Sequence, residues 1–235
     1  MRIGEKTIVR DLSFDVHPGE VFALLGANGS GKTSTIRSLL GIYKSTDGTL
    51  HIDGKRYTPD QARLVGYLPE ERGLYTRSKV LDTMIYFGEL KGLKRDQARE
   101  FSLSYLDRVG LADKANTKIK KLSGGQQQKV QLGVAIIGEP KLLILDEPTK
   151  GLDPVNRKLL LDIVDELQNK GAAVIYITHL MEEVERLADR LLILKDGKAR
   201  AYGGIAEVKK KFKSKSLEDV FVSIYNEKST EAKDV

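Results

Sequence analysis

A glycine-rich loop between an apolar strand and a helix constrains the fold of this chain more than any other feature. The apolar run Val21–Leu25 predicts a buried strand, and the apolar residues at 36, 39 and 40, after the loop, recur at the spacing of one helix face. Between them, from Gly26 to Thr33, the sequence follows the pattern G-x-x-x-x-G-K-T in the strand-to-helix context that a phosphate-binding loop requires. A glycine-rich turn that matches by chance would not be expected to have both flanking elements. We therefore predict an α/β fold with a phosphate site at the end of this strand.

This loop supplies three kinds of phosphate-binding group. Its glycines allow backbone N–H groups to converge on phosphate oxygens, and the start of the helix adds a partial positive charge. Lys32 would bring a point charge to the β- and γ-phosphates, and the Thr33 hydroxyl is a hard oxygen ligand for Mg²⁺. The predicted nucleotide-binding residues of this segment are Asn28, Gly29, Ser30, Gly31, Lys32, Thr33 and Ser34.

A second strand-like run ends in two acidic residues. The apolar residues 142–145 lead directly into Asp146 and Glu147, and such a strand delivers its last side chains to the carboxyl edge of a parallel sheet, where α/β proteins bind ligands. Asp146 would hold Mg²⁺ through water, and Glu147 would polarise or deprotonate the attacking water. Alone, the pair would be interpreted as an ordinary acidic turn before Pro148. Beside a phosphate-binding loop, the catalytic interpretation is favoured.

The remaining pattern predicts where the other elements lie. Strand-like runs are expected at 8–16, 20–25, 49–53 and 64–68. An inserted helical lobe is expected at about 79–140. Strands are then expected at 142–145, 173–177 and 190–194, alternating with helices at about 155–169 and 181–188. This alternation is typical of a parallel sheet with covering helices.

The chain shows no internal repeat, so we expect one nucleotide-binding unit. Its core and β subdomain would occupy about 1–78 and 141–205, followed by a basic and amphipathic tail at 206–235. Apolar residues at 217, 220, 221 and 224 fall on one helix face in this tail. Such a helix is expected to dock on its own domain.

Composition excludes several classes of protein. The absence of cysteine excludes a disulfide framework and a thiolate metal site. No apolar run approaches the ~18 residues needed to cross a bilayer, and charges occur too early for a secretory signal, so we expect a soluble chain. The net charge of +6 has its densest cluster near the C-terminus, at Lys209, Lys210, Lys211, Lys213 and Lys215. This cluster fits a solvated helix face or a surface toward anionic lipid, and without interleaved aromatics we expect no nucleic-acid partner.

A Ser-Gly-Gly turn lies between the phosphate loop and the acidic pair. Gly124 and Gly125 leave backbone N–H groups uncovered, Ser123 offers a hydroxyl, and a helix is expected to begin at about Gln126. Together they predict a second anion site on a helix dipole, unless Ser123 is only an N-cap. One chain needs two such sites for one triphosphate only if the sites meet across an interface between two copies.

These residues resemble the nucleotide-binding subunit of ATP-binding cassette (ABC) transporters over nearly the whole chain. The matching elements are the Walker A loop at 26–33, the signature at 122–126, the Walker B strand at 142–146, the catalytic glutamate Glu147, the D-loop at 151–153 and the switch histidine His179. The resemblance implies a P-loop NTPase (RecA-like) core with a small antiparallel β subdomain and an inserted helical subdomain. It implies ATP and Mg²⁺ as cofactors, with Thr33, Glu70 and Asp146 as metal ligands.

In that family, two domains pack head to tail around two ATP molecules. The resemblance therefore implies that the signature residues Ser123, Gly124, Gly125 and Gln126 bind the ATP of a second copy, while His179 senses or holds the γ-phosphate. It also implies separate transmembrane permease subunits, contacted by the helical lobe and the surface at 70–78. The chain would then be cytoplasmic and peripheral on the inner face of the membrane.

The runs at 68–75 and 217–221 are similar to those of the ABC-2 type exporter branch, which includes sodium-efflux and drug-efflux ATPases. Export is therefore the expected direction of transport. Two alternatives remain open: an ABC-type ATPase that regulates a membrane complex without transport, and one that serves DNA repair or translation.

Three positions depart from the family pattern. The first strand of the family usually carries an aromatic residue that stacks on adenine; the best match here is Ile3, so we expect comparable affinity for ATP and GTP. The Q-loop position is Glu70, whose carboxylate can bind Mg²⁺ but adds negative charge beside the γ-phosphate. Lys150 lies next to the D-loop, where a small polar residue is common, and the sequence does not indicate what effect the lysine has.

Overall fold

The structure, a computed structural model, describes residues 2–3, 6–43, 47–71 and 73–226, with the backbone alone at 2, 3, 6 and 7. The strands are β1 (Arg2–Ile3), β2 (Lys6–Thr7), β3 (Val21–Leu25), β4 (His51–Ile52), β5 (Lys55–Arg56), β6 (Val65–Leu68), β7 (Leu142–Asp146), β8 (Ala173–Ile177), β9 (Arg190–Lys195) and β10 (Lys198–Gly204). The α-helices are α1 (Lys32–Leu39), α2 (Val80–Leu90), α3 (Arg95–Arg108), α4 (Gly124–Ile136), α5 (Pro154–Asn169), α6 (Met181–Leu187), α7 (Ile205–Lys211) and α8 (Leu217–Asn226). These elements form two compact units.

The first unit takes in residues 1–16, 21–50 and 177–235 and contains the strand order β10-β9-β3. Strands β3 and β9 run parallel, from Phe22 opposite Arg190 to Leu25 opposite Ile193. Strand β9 continues through the turn at 196–197 into the antiparallel β10, so the two strands form a hairpin. Every residue of β3 is buried, and a strand covered on both faces requires the continuous apolar run seen in the sequence.

The C-terminal helix packs into the core of the first unit. Leu217, Val220 and Ile224 of α8 are buried in the same apolar cluster as Leu25 of β3 and Ile193 of β9. The spacing of these residues places them on one helix face, so burial of that face fixes how the helix is rotated. The prediction that the amphipathic tail helix docks on its own domain is confirmed.

The second unit takes in residues 17–20 and 51–176 and contains the strand order β8-β7-β6, with β4 and β5 as a separate antiparallel pair. Strands β6 and β7 are parallel, with Val65 opposite Leu142 and Leu68 opposite Leu145. Helix α4 lies so close to β6 that a Cβ at Gly66 would overlap the Ala135 carbonyl oxygen. Only glycine fits this position, because the backbone of the helix occupies the space of a side chain.

Several predicted elements have different bounds in the structure. Residues 8–16 form no strand, because Asp11 takes a left-handed φ of 47° that interrupts the extended run. The predicted strand at 49–53 shrinks to β4, since the chain turns at Asp53 with φ 51°. The predicted helical stretch from 79 is divided into α2 and α3 at Gly92, whose φ is 91°. The single-domain organisation, with its bounds at 78, 141 and 205, stays a prediction.

Within the described ranges, no helix combines the length and the apolar composition needed to cross a membrane.

Candidate nucleotide-binding site

The phosphate loop has the geometry that its glycines require. It leaves the buried strand β3 and enters α1 at Lys32, and Gly31 forms the N-cap of the helix with φ 108°. Gly29 also has a left-handed φ, of 81°. At Gly26 the constraint is space, since a Cβ there would lie 2.6 Å from the Leu194 carbonyl oxygen. The loop therefore has the backbone conformation that phosphate binding at the start of α1 would require, and the binding itself stays a prediction.

Lys32 is folded back onto its own loop. Its Nζ donates to the Gly26 carbonyl oxygen at 2.6 Å and to that of Ala27 at 3.2 Å, and the residue is buried. Of the other predicted residues here, Asn28 and Gly29 are exposed, Ser30 is buried, and Thr33 and Ser34 are half-buried. The ammonium is therefore held at the loop, with Thr33 one residue further along the helix.

His179 belongs to the same unit as the phosphate loop. It follows β8 and precedes α6, where the imidazole is exposed. The turn is fixed beside it: the buried Thr178 hydroxyl accepts from the Leu180 N–H at 3.1 Å and donates to Glu183 at 3.4 Å. The prediction that His179 follows a strand at its carboxyl end is confirmed, and its contact with a γ-phosphate stays a prediction.

The acidic pair in the second unit ends a fully buried strand. All five residues of β7 are buried, and Asp146 is 1% exposed. Glu147 follows with φ 49°, an uncommon conformation for a residue with a side chain. The Lys150 N–H donates to the Glu147 carbonyl oxygen at 3.2 Å, so a tight turn accompanies this conformation. Because of this turn, Glu147 does not continue the pattern in which successive side chains of β7 point to opposite faces of the sheet.

Lys150 and Glu70 form an ion pair. The Lys150 Nζ lies 2.7 Å from a Glu70 carboxylate oxygen, and both side chains are substantially exposed. The hydrogen bond with Glu70 raises the pKa of Lys150, and the carboxylates of Glu147 and Asp146 act in the same direction. The sequence did not indicate what Lys150 does; in the structure it is paired with Glu70 and interacts electrostatically with Glu147 and Asp146.

The residues predicted to hold Mg²⁺ have suitable chemistry for that ion. Thr33 offers a hydroxyl, and Asp146 and Glu70 offer carboxylates, all of them hard oxygen donors. No cluster of three or more His, Cys, Asp or Glu residues arranged to hold a metal occurs among the described residues. A nucleotide-dependent Mg²⁺ does not need such a cluster, because substrate phosphates and water complete its coordination.

The Ser-Gly-Gly turn forms a complete capping box at the start of α4. The Ser123 hydroxyl accepts from the Gln126 N–H at 3.3 Å, and the Gln126 side chain accepts from the Ser123 N–H at 2.9 Å. Because Ser123 is the N-cap, the helix begins at Gly124 and not at about Gln126 as predicted. Both glycines therefore lie in the first turn, where backbone N–H groups have no partner within the helix.

A cleft of about 500 Å³ opens in front of this turn. One wall is the start of α4, and the other is the D-loop at 151–153 with Asn156. The Lys129 Nζ also lines it, held by the Val109 carbonyl oxygen at 2.7 Å and by Asn156 at 3.0 Å. The start of a helix, the Ser123 hydroxyl and the Lys129 side chain therefore line one cleft, a combination suited to an anion such as a phosphate chain.

Two glutamines of α4 that the sequence analysis missed connect the signature helix to the two acidic loops. Gln128 donates to the Pro148 carbonyl oxygen at 2.9 Å, and Gln131 donates to those of Pro69 at 3.2 Å and Glu71 at 3.1 Å. Both are buried. The two glutamines are three residues apart and therefore lie on one helix face, and this spacing could have been recognised in the sequence.

The structure therefore groups the predicted site residues by unit. The phosphate loop and His179 belong to the first unit. Asp146, Glu147 and Glu70 all interact electrostatically with Lys150 in the second unit. The signature cleft also belongs to this unit. The side chain of Ile3 lies outside the described part of the chain, so the adenine prediction stays a prediction.

Comparison with known proteins gives three results. The model of the ABC transporter family matches residues 9–150. An uncharacterized ABC transporter ATP-binding protein of Methanocaldococcus jannaschii is 46% identical over 88% of this chain and 76% of its own length. A Nod factor export ATP-binding protein of Paraburkholderia xenovorans is 40% identical over 85% of this chain and 67% of its own.

A solved structure of the ATP-binding subunit of an ABC transporter superimposes with a TM-score of 0.90, covers 95% of each chain and is 29% identical. This likeness confirms the predicted fold class: a P-loop NTPase core with a small antiparallel sheet and an inserted helical subdomain.

Proposed function

This chain belongs to the ABC transporter family as an ATP-binding subunit, and from that membership we propose that it hydrolyses ATP in a head-to-tail dimer that drives separate membrane subunits. The phosphate loop of one copy and the signature turn of the other would enclose each ATP. Relatives named for export, such as the Nod factor export protein, support export as the direction.

One observation supports this proposal: the signature turn lines an open cleft and is also a helix cap. Ser123 completes the capping box, and the first turn of α4 lines a cleft together with Lys129. The second unit thus offers an anion site on an element other than the phosphate loop. Two such sites in one chain are explained if two copies share two triphosphates.

The residues have distinct tasks in this proposal. Lys32 and the amides of the loop bind the phosphate chain; Thr33, Asp146 and Glu70 would hold Mg²⁺, which would neutralise phosphate charge. Glu147 accepts a proton from the attacking water, and His179 holds the γ-phosphate and positions that water. Closure of the dimer brings in Ser123 and excludes bulk water. ATP binding would then move the membrane subunits, and hydrolysis would reset them.

Dimerisation can be tested in a chain that binds ATP without hydrolysing it. We expect Glu147→Gln to form an ATP-dependent dimer by light scattering, and Ser123→Arg in the same background to stay monomeric, because the arginine fills the cleft. Ser104→Arg is the matched control, since Ser104 is exposed on α3 of the same unit. If Ser123→Arg dimerises as well as the control, the turn is only a helix cap.

Complementation tests whether the two halves of a site come from different copies. Lys32→Ala lacks a working phosphate loop, and Ser123→Arg lacks a working signature, so each alone should be inactive. A mixture contains heterodimers in which the loop of one variant meets the signature of the other, and ATP hydrolysis should reappear. A mixture as inactive as its components would contradict a shared site.

The membrane partner can be tested by purification from membranes. We expect the chain to co-purify with permease subunits and to leave the membrane fraction in cells that lack them. If a labelled substrate accumulates inside inverted vesicles and Glu147→Gln abolishes the accumulation, the direction is export. If Glu147→Gln leaves the accumulation unchanged, transport driven by hydrolysis is contradicted.

A further inference from the structure

The C-terminal helix is tied to the phosphate loop of its own unit by one side chain. The backbone N–H of Ala27, the second residue of the loop, donates to the Tyr225 hydroxyl at 2.7 Å. The same hydroxyl donates to the Leu194 carbonyl oxygen at the end of β9, also at 2.7 Å. The hydroxyl therefore uses its proton and a lone pair to join the loop to the neighbouring strand.

The surrounding side chains leave the Tyr225 ring little freedom. It stacks on Phe221 with ring centroids 4.4 Å apart, and the Lys195 ammonium lies 5.6 Å from its centroid. The buried Lys195 also donates to the Ile224 carbonyl oxygen at 2.8 Å, which anchors the last turn of α8 directly. The Tyr225 ring and α8 are thus held in place by contacts that do not involve the phosphate loop. The hydroxyl is therefore already positioned to hydrogen-bond the loop.

The supported peptide is also the one on which the lysine of the phosphate loop rests. The Ala27 carbonyl oxygen, in the next peptide, accepts from the Ser30 N–H at 3.1 Å in the bend of the loop. The Ala27 N–H that bonds to Tyr225 shares its peptide with the Gly26 carbonyl oxygen, and that oxygen accepts from the Lys32 Nζ at 2.6 Å. A rotation of this peptide would therefore move the acceptor of the lysine and the bend of the loop together. Burial raises the pKa of the Tyr225 hydroxyl, which keeps its proton available for Leu194.

We propose that Tyr225 is a positioning residue for the phosphate loop, through which the C-terminal helix sets the affinity of the site for a nucleoside triphosphate. The proposal rests on the ATP-binding function stated above. Its effect falls on the phosphate chain, because the hydroxyl holds a peptide of the phosphate loop. Affinities for ATP and GTP should therefore change by the same factor.

The test is Tyr225→Phe, which keeps the ring, its stacking and the helix but removes both hydrogen bonds. We expect the affinity for ATP and for GTP to fall about fivefold to tenfold, measured by calorimetry on the full chain in the Glu147→Gln background, as for loss of a well-placed hydrogen bond. With Glu147 intact, the KM for ATP should rise by a similar factor while kcat changes little. Amide hydrogen exchange at Ala27 in the nucleotide-free protein should accelerate.

Tyr202→Phe is the matched control. Tyr202 lies in the same unit, and its hydroxyl donates to Asp15 at 2.7 Å, so the variant also loses a tyrosine hydrogen bond. We expect it to retain wild-type nucleotide affinity and wild-type exchange at Ala27. If Tyr225→Phe binds nucleotide as the wild type does, or if its only change is a lower melting temperature, the positioning role is overturned.

The outcomes also separate this proposal from the one on which it rests. A wild-type chain that binds neither ATP nor GTP would overturn the proposed function. If the wild-type chain binds both nucleotides and the Tyr225→Phe variant binds them with the same affinity, only the role of Tyr225 is overturned.

Discussion

At the scale of single residues, the ion pair between Lys150 and Glu70 changes how the acidic cluster is understood. A carboxylate at the Q-loop position adds negative charge to a site that must accept a triphosphate, and the sequence offers no compensation near it. In the structure the Lys150 ammonium compensates for this charge, with its Nζ 2.7 Å from a Glu70 carboxylate oxygen. The two departures from the family pattern therefore form a pair.

The pair predicts a charge-matched rescue. Lys150→Ala leaves the carboxylates of Glu70, Asp146 and Glu147 without this cation, so we expect weaker binding of a non-hydrolysable ATP analogue, most clearly at low salt. The double variant Lys150→Ala with Glu70→Gln should regain most of the affinity. Equal binding by the single and double variants, in titrations at two salt concentrations, would show that the pair is only a surface contact.

Glu147 predicts a separation of stability from activity. Its φ of 49° destabilises the folded state by about 1 kcal/mol for a residue with a Cβ, whereas glycine adopts this conformation without strain. We therefore expect Glu147→Gly to be more stable than Glu147→Ala by about 1 kcal/mol in urea unfolding, although neither hydrolyses ATP. Equal stability of the two variants would mean that the turn relaxes when the glutamate is removed.

At the scale of elements, α4 connects three parts of the second unit. Its first turn forms the signature cleft, Gln128 holds the loop after β7, and Gln131 holds the loop after β6. A displacement of the helix would therefore be transmitted to both acidic loops through hydrogen bonds from one face.

This connection predicts unequal effects of two similar substitutions. Gln131→Leu removes the donor of two partly buried hydrogen bonds, to the Pro69 and Glu71 carbonyl oxygens, and we expect a loss of about 1–3 kcal/mol in the free energy of unfolding. Gln127→Leu on the same helix removes only a half-buried bond to the Leu122 carbonyl oxygen, so its loss should be smaller. Urea titrations of both variants compare them, and equal losses would argue against a special role for the Q-loop contact.

At the scale of the whole molecule, the lysine cluster near the C-terminus is too small to attach the chain to a lipid surface by itself. Lys209 is engaged with Glu185 at 2.5 Å, which leaves Lys210, Lys211, Lys213 and Lys215 exposed. Each lysine near an anionic surface contributes about 1 kcal/mol. Four would give a dissociation constant of only about 1 mM.

We therefore expect the purified chain not to co-sediment with vesicles of phosphatidylglycerol at physiological salt, whether or not ATP is present. Attachment in cells would then depend on the permease. Co-sedimentation that disappears when Lys210, Lys211 and Lys213 are changed to glutamate would contradict this expectation and assign the cluster to lipid.

The extent to which sequence predicted this molecule differs from element to element. The runs that became β3 and β7 were identifiable because strands buried on both faces need unbroken apolar sequence, and the glycine pattern fixed the loop between β3 and α1. Residues 8–16 were misassigned because their apolar content is high, whereas the backbone reversal at Asp11 has no strong local signal. The role of Lys150 was hidden for another reason: its partner is 80 residues away, and only the fold brings the two together.

The contact between Tyr225 and Ala27 has a consequence for how this protein can vary among its descendants. The family match ends at residue 150, yet one support of the phosphate loop comes from the other end of the chain. A substitution or deletion in the last helix, outside every motif, would be inherited as a change in nucleotide affinity. Lineages that alter this tail could therefore diverge in ATP requirement while every signature residue stays the same.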